Sequence, residues 1–98
     1  MIGIDATRIS RFKNFKDHQL VKFLHPNELI ECKKAPNFAK YIATRWALKE
    51  AIFKCDNTFS SFSEIEIIKD QSGRYKFLDF ALSTTNEDDL LIAIAQKQ

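Results

Sequence analysis

The sequence predicts an α+β domain, with helices concentrated in the first half and antiparallel strands in the second. Apolar residues recur at helical spacing until about residue 55, and after a serine-rich stretch the spacing changes to short apolar runs separated by turn residues. The 98 residues and 45% hydrophobic content fit one domain over residues 1–98 with a single core, much of it supplied by nine Phe residues.

The chain is predicted to open with a strand. Apolar residues alternate with small or polar ones between Ile2 and Ala6, which is the period-two pattern of a strand. Asp5 belongs to the second face of this strand and is expected to point away from the Ile side. Residues 8–24 then show helical spacing among basic residues, which predicts two short helices broken near residues 14–17.

Two further helices are predicted before the serine-rich loop. Pro26 ends the preceding section, and Asn27 is expected to be the N-cap of a helix that continues through Cys32. The Pro-Asn pair at 36–37 interrupts the chain again. A long helix is then predicted over residues 38–55, and it is the longest element of the domain.

The second half of the chain has the character of strands. The isoleucines over 65–68 predict one strand, the Asp-Gln-Ser-Gly sequence at 70–73 predicts a turn, and residues 75–82 are expected to be the partner strand of a hairpin. A further strand is predicted over residues 90–95. The polar residues at 83–86 are expected to form a connection at the surface or at a ligand cleft.

Charged residues occupy unusual positions on the long helix. Projected at helical periodicity, Arg45 and Lys49 fall inside a broad apolar arc. A dry and unpaired charge is costly, so each needs a carboxylate, a phosphate or a water-filled cleft. Glu50 and Lys54 lie four residues apart on the flank of the arc. The arrangement predicts a functional site, although helix statistics alone favour an ordinary surface ion pair for Glu50 and Lys54.

Charge and composition limit the classes of partner. Residues 1–56 hold eleven Lys/Arg against six Asp/Glu, and residues 57–98 hold four against seven, for a net charge of +2. The basic first half favours phosphates, nucleic acid or an acidic protein. The N-terminus does not have the pattern of a signal peptide, no apolar run reaches membrane-spanning length, and two distant cysteines predict free thiols. A cytoplasmic protein without a membrane partner is therefore expected.

Three segments of the sequence together resemble a known family. They are Ile2-Gly3-Ile4-Asp5 followed by Arg11, the string Arg45-Trp46-Ala47-x-Lys49-Glu50-Ala51-x-x-Lys54, and Asp70-x-x-Gly73. This pattern is similar to that of the holo-[acyl-carrier-protein] synthases, the small 4′-phosphopantetheinyl transferases. The resemblance implies the 4′-phosphopantetheinyl transferase-like fold, with one long central helix and short helices packed on a small antiparallel sheet. It also implies a trimer with active sites between neighbouring subunits.

The reaction that the resemblance implies is phosphoryl transfer. Coenzyme A donates its 4′-phosphopantetheine to a serine of apo acyl carrier protein, and adenosine 3′,5′-bisphosphate is released. Such reactions are accelerated mainly by alignment and charge neutralisation. By resemblance, Asp5 and Glu50 are the Mg²⁺ ligands and are catalytic together with Lys54, which stabilises the diphosphate.

The resemblance also assigns the substrate contacts. Coenzyme A is expected to contact Arg45, Lys49, Lys54, Ser83 and Asn86, and the acidic carrier protein is expected to dock on Arg11, Lys13 and Lys16. Of the positions that depart from the family pattern, two bear on the function. Asn86 replaces a histidine and cannot carry its charge, and Arg8 replaces a residue that is commonly acidic.

Simpler interpretations accompany these assignments. Asp5 could cap the turn into the first helix, and Arg11 with its neighbouring lysines could be a solvated helix face. A catalytically weakened homologue that binds coenzyme A or carrier protein is one alternative function, based on Asn86 and Arg8. A small basic nucleic-acid-binding module is another, but the aromatic residues fall at core spacing and no stacking signature is present, so no nucleic-acid partner is expected.

Overall fold

One long helix lies between a five-stranded sheet and a layer of short helices. The computed structural model describes all 98 residues. Its strands are β1 (Ile2–Arg8), β2 (Ile68–Lys69), β3 (Tyr75–Phe77), β4 (Phe80–Glu87) and β5 (Leu90–Lys97). Its α-helices are α1 (Asp17–Leu20), α2 (Pro26–Cys32) and α3 (Phe38–Cys55), and 3₁₀ turns cover Ile9–Phe12 and Phe62–Glu64. The predicted α+β class with a long helix and an antiparallel sheet is confirmed.

The sheet is antiparallel throughout, and its strand order is β1-β5-β4-β3-β2. The first strand of the chain and the first strand of its second half therefore form opposite edges. Ile4 of β1 lies opposite Ile94 of β5, which in turn lies opposite Ser83 of β4. Because directly paired residues point to the same face, these three side chains share the face of the sheet that is turned away from α3.

Helix α3 carries the core because it packs on both of its sides. One buried cluster joins α3 to the sheet, and it comprises Ala47, Leu48, Ala51, Ile52, Cys55, Ile65, Ile67, Phe80, Leu91, Ala93 and Ala95. A second cluster joins α3 to the short helices, and it comprises Phe12, Leu20, Phe23, Leu24, Cys32, Ile42 and Ala43. A helix buried on two sides has little solvated face, which explains why charged residues of α3 fall within an apolar arc.

Gly3 sets the distance between β1 and α3. A Cβ atom at this position would lie 2.0 Å from the backbone oxygen of Ala51 and 2.7 Å from the backbone nitrogen of Cys55. Only glycine allows the strand to approach the helix backbone this closely. Asp5 lies two residues further along the same face of β1, so this approach also brings its carboxylate to α3.

The start of α2 differs from the prediction. Its N-cap is His25, whose ring nitrogen accepts a hydrogen bond from the backbone N–H of Asn27, and Pro26 occupies the first turn. Proline is favoured there because its missing N–H has no partner in a helix in any case. The expectation that Pro26 ends a section and Asn27 caps the helix is therefore wrong. The side chain of Asn27 instead donates to Glu66.

The strands of the second half are also divided differently. Ile65 and Ile67 are core residues outside any strand, because the Ile67 N–H donates to a buried carboxylate rather than to a neighbouring strand. The segment predicted as one strand over residues 75–82 is two strands, since a turn at Leu78, with a positive φ of 47°, reverses the chain. Residues 83–86 lie inside β4 and are not a connection.

Candidate active site

Asp5, Glu50 and Lys54 come together where the edge strand β1 crosses α3. The Lys54 Nζ donates to Asp5 Oδ1 and to the backbone oxygen of Ile4, each at 3.1 Å. The Asp5 side chain is 13% exposed, whereas that of Lys54 is 50% exposed. Two residues that are 49 positions apart in the sequence thus form one partly open charged site.

Glu50 faces this site from one helical turn before Lys54. Burial raises the pKa of the Glu50 carboxyl above its ordinary value, and the negative charge of Asp5 raises it further. Lys54 and Arg11 act in the opposite direction but do not cancel these effects. Two partly buried carboxylates this close together form a site that favours a cation.

Arg11 borders the same site from the first 3₁₀ turn. Its guanidinium lies 5.1 Å from the centroid of the Trp46 ring and 5.2 Å from that of Phe12, which holds an otherwise exposed cation against α3. Trp46 is one turn before Glu50 on the helix. Arg11 was expected at a docking surface, and the structure puts it within electrostatic reach of Glu50.

A groove of about 630 Å³ adjoins Arg11 and has aromatic walls. The aromatic residues that line it are Phe12, Phe15, Phe23, Trp46 and Phe62, and its polar rim includes Gln19, Lys22 and Ser61. Lys13 and Lys16 are exposed on the same segment of the chain as Arg11. The groove therefore combines apolar walls with a cationic border.

Lys49 lies in the interior of the chain, and its assignment to the coenzyme A site is corrected. Its side chain is fully buried, and Nζ donates to Glu28 Oε1 at 2.6 Å and to the backbone oxygens of Phe23 and Phe62 at 2.6 and 2.9 Å. These three bonds use all the donors of the ammonium. Burial lowers the pKa of Lys49, and the carboxylate of Glu28 opposes that effect.

Glu28 is the functional residue that sequence reasoning missed. It is fully buried on α2, and its carboxylate accepts from the backbone N–H groups of His25 and Ile67 as well as from Lys49. The position of Lys49 in an apolar arc signalled a missing carboxylate. Glu28 was not identified as that carboxylate because an acidic residue in the first turn of a short helix has an ordinary capping role.

Arg45 lines a second cavity, of about 530 Å³, between α2, the start of α3 and the β2–β3 hairpin. Arg45 is only 4% exposed, and its Nε has no hydrogen-bond partner. The nearest carboxylate oxygen, Glu28 Oε2, lies 4.0 Å from this Nε. The guanidinium packs between two tyrosine rings, 3.9 Å from the centroid of Tyr41 and 5.3 Å from that of Tyr75. Three lysines, Lys34, Lys40 and Lys69, and one carboxylate, Glu31, also line this cavity.

Ser83 and Asn86 are not brought together. They lie in β4 with two residues between them, so they point to opposite faces of the sheet. Ser83 lies opposite Ile94 on the face turned away from α3, whereas Asn86 lies opposite Leu91, which is a core residue under α3. Both side chains are exposed. Within one chain they cannot bind the same group of a ligand.

The donor set limits the metals that the chain could bind. No group of three or more His, Cys, Asp or Glu side chains lies together in a metal-binding arrangement. The two cysteines are free and buried. A pair of carboxylates without nitrogen or sulfur ligands fits Mg²⁺, which keeps several waters and takes its remaining ligands from substrate phosphates.

A helix that crosses a bilayer must be both long and apolar. Even α3, with 18 residues, does not combine the two properties that a helix needs to cross a bilayer.

Comparison with known proteins identifies the family. A family model described as the 4′-phosphopantetheinyl transferase superfamily matches residues 1–95. The holo-[acyl-carrier-protein] synthase of Mycoplasma mobile is 44% identical over 98 residues, which cover 100% of this chain and 89% of that protein. That of Mycoplasmopsis pulmonis is 42% identical, with 99% and 89% covered.

A solved structure has the same fold along the whole chain. The Helicobacter pylori holo-[acyl-carrier-protein] synthase in complex with coenzyme A superposes with a TM-score of 0.78 and 30% identity, and 97% of each chain is covered. Together with the meeting of Asp5, Glu50 and Lys54 at the crossing of β1 and α3, these matches lead to one conclusion: the chain belongs to the 4′-phosphopantetheinyl transferase superfamily.

Proposed function

We propose that this protein transfers 4′-phosphopantetheine from coenzyme A to a serine of apo acyl carrier protein. The observation that carries the proposal is the convergence of Asp5, Glu50 and Lys54 at one partly open site. In the reaction, the serine oxygen attacks the phosphorus that bears pantetheine and the serine proton is lost. The bond from that phosphorus to the bridging oxygen breaks, so adenosine 3′,5′-bisphosphate leaves with the electron pair.

Asp5 and Glu50 are the residues that would hold Mg²⁺. Their oxygens fit a hard cation, and the raised pKa of Glu50 reflects burial together with nearby negative charge that a cation would neutralise. When bound, Mg²⁺ supplies a positive charge that neutralises the diphosphate and helps to align the reacting groups. Both carboxylates must be ionised to bind the ion.

Lys54 stabilises the charge that develops on the leaving group. Its ammonium is held by Asp5 and by the backbone oxygen of Ile4, but half of its side chain is exposed, so it can still donate to a phosphate oxygen. An ammonium beside the bridging oxygen favours the transition state more than the ground state, because negative charge accumulates there as the bond breaks.

Arg45 binds a phosphate at the nucleotide end of coenzyme A. A buried guanidinium whose Nε has no partner lies in a cavity lined by three lysines and one glutamate, so the cavity has the net positive charge and the hydrogen-bond donors of an anion site. The two tyrosines that contact Arg45 restrict its conformations, which lowers the entropy lost on binding.

Within one chain, the catalytic residues and the Arg45 cavity lie on different sides of α3 and beside opposite edges of the sheet. Asp5 is on edge strand β1 and the cavity lies beside edge strand β2, which are separated by about 19 Å at strand spacings of about 4.8 Å. Arg45 and Glu50 are also directed about 140° apart around α3 at about 100° per residue. This separation favours a coenzyme A that bridges two subunits.

The outer face of the sheet supplies the surface for a homotrimer. Ile2 and Ile4 are 61% and 59% exposed, and Leu90 is 41% exposed. Ala6, Ile92 and Ile94 continue the same apolar face by the strand register. Ile65 and Ile67 are core residues and do not contribute to this surface.

The acidic carrier protein docks on the basic border of the aromatic groove, through Arg11, Lys13 and Lys16. The groove adjoins the candidate active site through Arg11 and Trp46, so a partner bound there can present its serine to the diphosphate. Charges on such a rim mainly raise the association rate, and the rate should fall as salt is added. We place the reaction in the cytoplasm, where both cysteines stay reduced.

The test is a mass-spectrometric assay for phosphopantetheine on apo acyl carrier protein with coenzyme A and Mg²⁺. The wild-type chain should add one phosphopantetheine per carrier. Glu50→Gln should lose transfer and keep its circular dichroism spectrum, whereas Asp79→Asn, a control at the exposed turn between β3 and β4, should remain active. If the wild-type protein binds coenzyme A but transfers nothing, it is the catalytically weakened homologue that Asn86 and Arg8 suggested. Full turnover by Glu50→Gln would reject the metal assignment.

A further inference from the structure

Three buried or nearly buried charges form a cluster between α2 and α3, and they do not sum to zero. Glu28 contributes one negative charge, whereas Lys49 and Arg45 contribute one positive charge each. Glu28 and Lys49 are in direct contact at 2.6 Å, with no exposed side-chain surface on either. The remaining positive charge resides on Arg45, at the wall of the lysine-bordered cavity.

Lys49 and Arg45 compete for the same carboxylate. Glu28 Oε1 is bonded to Lys49 Nζ and to the N–H of His25, and Oε2 is bonded to the N–H of Ile67. Arg45 Nε lies 4.0 Å from Oε2, which is beyond hydrogen-bond distance but within reach of a small rotation. A carboxylate released by Lys49 would have Arg45 as its only other cationic partner.

We propose that Lys49 is a positioning residue that keeps Arg45 free for phosphate. By neutralising Glu28, Lys49 prevents the carboxylate from pairing with Arg45, and the uncompensated guanidinium remains available to an anion in the cavity. This inference rests on the proposed role of Arg45 in binding a phosphate of coenzyme A. It gives Lys49 an effect on the nucleotide site without any contact with the ligand.

The proposal and a purely structural role of the ion pair predict different changes in ligand affinity when Glu28 is neutralised. If the pair only supports the fold, removal of either partner alone should weaken ligand binding, whereas the shielding role predicts that Glu28→Gln alone binds at least as well as wild type. If Lys49 shields Arg45 from Glu28, removal of the lysine alone should weaken binding, and simultaneous neutralisation of Glu28 should restore it. Replacement of a buried ion pair by two neutral side chains is often tolerated, whereas removal of one partner is costly. The double variant is therefore also the one more certain to fold.

The experiment measures binding of adenosine 3′,5′-bisphosphate by calorimetry, without Mg²⁺ or carrier protein. Lys49→Met should raise the Kd about tenfold, the size expected for one lost charge-assisted contact. Glu28→Gln/Lys49→Met should bind within about threefold of wild type. Lys97→Met, which removes an equal charge from a surface pair with Asp56, is the matched control and should bind as wild type does. Near-ultraviolet circular dichroism checks the fold of each variant.

Two results would overturn the proposal: unchanged binding by folded Lys49→Met, or binding by the double variant as weak as that of the single one. Should Lys49→Met fail to fold, Glu28→Gln decides instead, since its retained affinity supports the proposal and its lost affinity in a folded protein refutes it. Arg45→Gln separates this inference from the function on which it rests. If Arg45→Gln binds normally, the phosphate role of Arg45 fails; if it binds weakly while Lys49→Met binds normally, only the shielding role fails.

Discussion

The absence of a side chain at Gly3 fixes the geometry of the candidate active site. Gly3→Ala would place a methyl group 2.0 Å from the Ala51 oxygen, so β1 must move away from α3. We expect a loss of about 1–3 kcal/mol in the free energy of unfolding, as for other overpacked sites. Because Asp5 moves with the strand, the Mg²⁺ concentration for half-maximal transfer should also rise. Urea unfolding and a Mg²⁺ titration of the transfer rate measure the two effects.

Gly73→Ala is the matched control for this prediction. Gly73 has a positive φ of 87°, but a Cβ atom added there would have no other atom within 4 Å, so alanine causes backbone strain without a clash. It should cost about 1 kcal/mol and leave the Mg²⁺ requirement unchanged. A Gly3→Ala variant with wild-type stability and Mg²⁺ dependence would contradict the close approach of β1 to α3.

Asp56 illustrates an acid-sensitive contact at the C-terminal end of α3. Hydrogen bonds from Lys97 and Thr58 lower the pKa of Asp56 to about 2. Since the folded-state pKa is lower than that of the unfolded chain, this contact stabilises the fold above about pH 4 and loses its effect as the pH falls towards about 2. Asp56→Asn should therefore be less stable than wild type at about pH 6, and the difference should vanish near pH 2. Urea unfolding across this range checks it.

The spacing of charged residues on α3 predicted that they need partners but did not identify those partners. Because Arg45 and Lys49 fall in an apolar arc, each was predicted to need a charged partner or water, and both side chains are in fact buried. Lys49 is bonded to the buried carboxylate of Glu28 on α2, whereas Arg45 Nε has no hydrogen-bond partner. Periodicity describes one helix at a time, so it cannot tell which neighbouring helix supplies the carboxylate. Asp5, Glu50 and Lys54 could be predicted only because the motif identified them jointly.

At the scale of elements, the turn between β4 and β5 anchors the first 3₁₀ turn. Asp89 accepts from the Ser10 backbone N–H at 2.8 Å and from its hydroxyl at 2.6 Å. Asp89→Ala should therefore loosen the segment that carries Arg11. We expect faster amide hydrogen exchange over residues 9–12, a higher KM for carrier protein and an unchanged KM for coenzyme A.

The neighbouring residue provides the control for this element. Asp88→Asn removes the same charge and preserves a side chain that tolerates the positive φ of 52° at that position. This variant should keep wild-type exchange rates and KM values. Equal effects of Asp89→Ala on both substrates would mean that the anchor supports the whole fold rather than the docking segment.

The presence of helices and strands was easier to predict than the residues at which they begin and end. The long helix was predicted with its observed limits, Phe38–Cys55, because Asn37 caps it with a side-chain acceptor and apolar periodicity is continuous along it. The strands after residue 60 were misdivided, since the N–H of Ile67 bonds to Glu28 and the turn at Leu78 lacks glycine, asparagine or proline. The first cause is a tertiary contact and the second is a turn without the usual turn residues, so neither gives a recognisable local pattern.

At the scale of the whole molecule, the exposed isoleucine face predicts association. Ile4→Lys would bury a charge at the centre of the proposed subunit contact, so the variant should sediment as a monomer at micromolar concentration and lose transfer. Sedimentation equilibrium with Mg²⁺ and coenzyme A present measures the state. Lys76→Glu, on a remote part of the outer face, serves as the control and should remain associated. A wild-type monomer under these conditions would contradict the trimer.

The proposed site between two subunits makes a second prediction at this scale. Arg45→Gln and Glu50→Gln should each be inactive or weak alone, yet a mixture refolded together should recover activity. On random mixing, about a quarter of the sites combine an intact Arg45 from one subunit with an intact Glu50 from the next. The transfer rate of the co-refolded mixture, compared with that of the two proteins combined after folding, tests it. No recovery would place the whole site within one chain.

The opposite-edge arrangement of the two half-sites also has a consequence for how much active enzyme a cell contains. If neither half completes the reaction alone, output depends on copy number more steeply than in proportion, because each added chain both supplies a half-site and raises the occupancy of others by mass action. Diluting the purified protein should therefore reduce turnover per chain, and a cell could silence the pathway simply by making less of the protein.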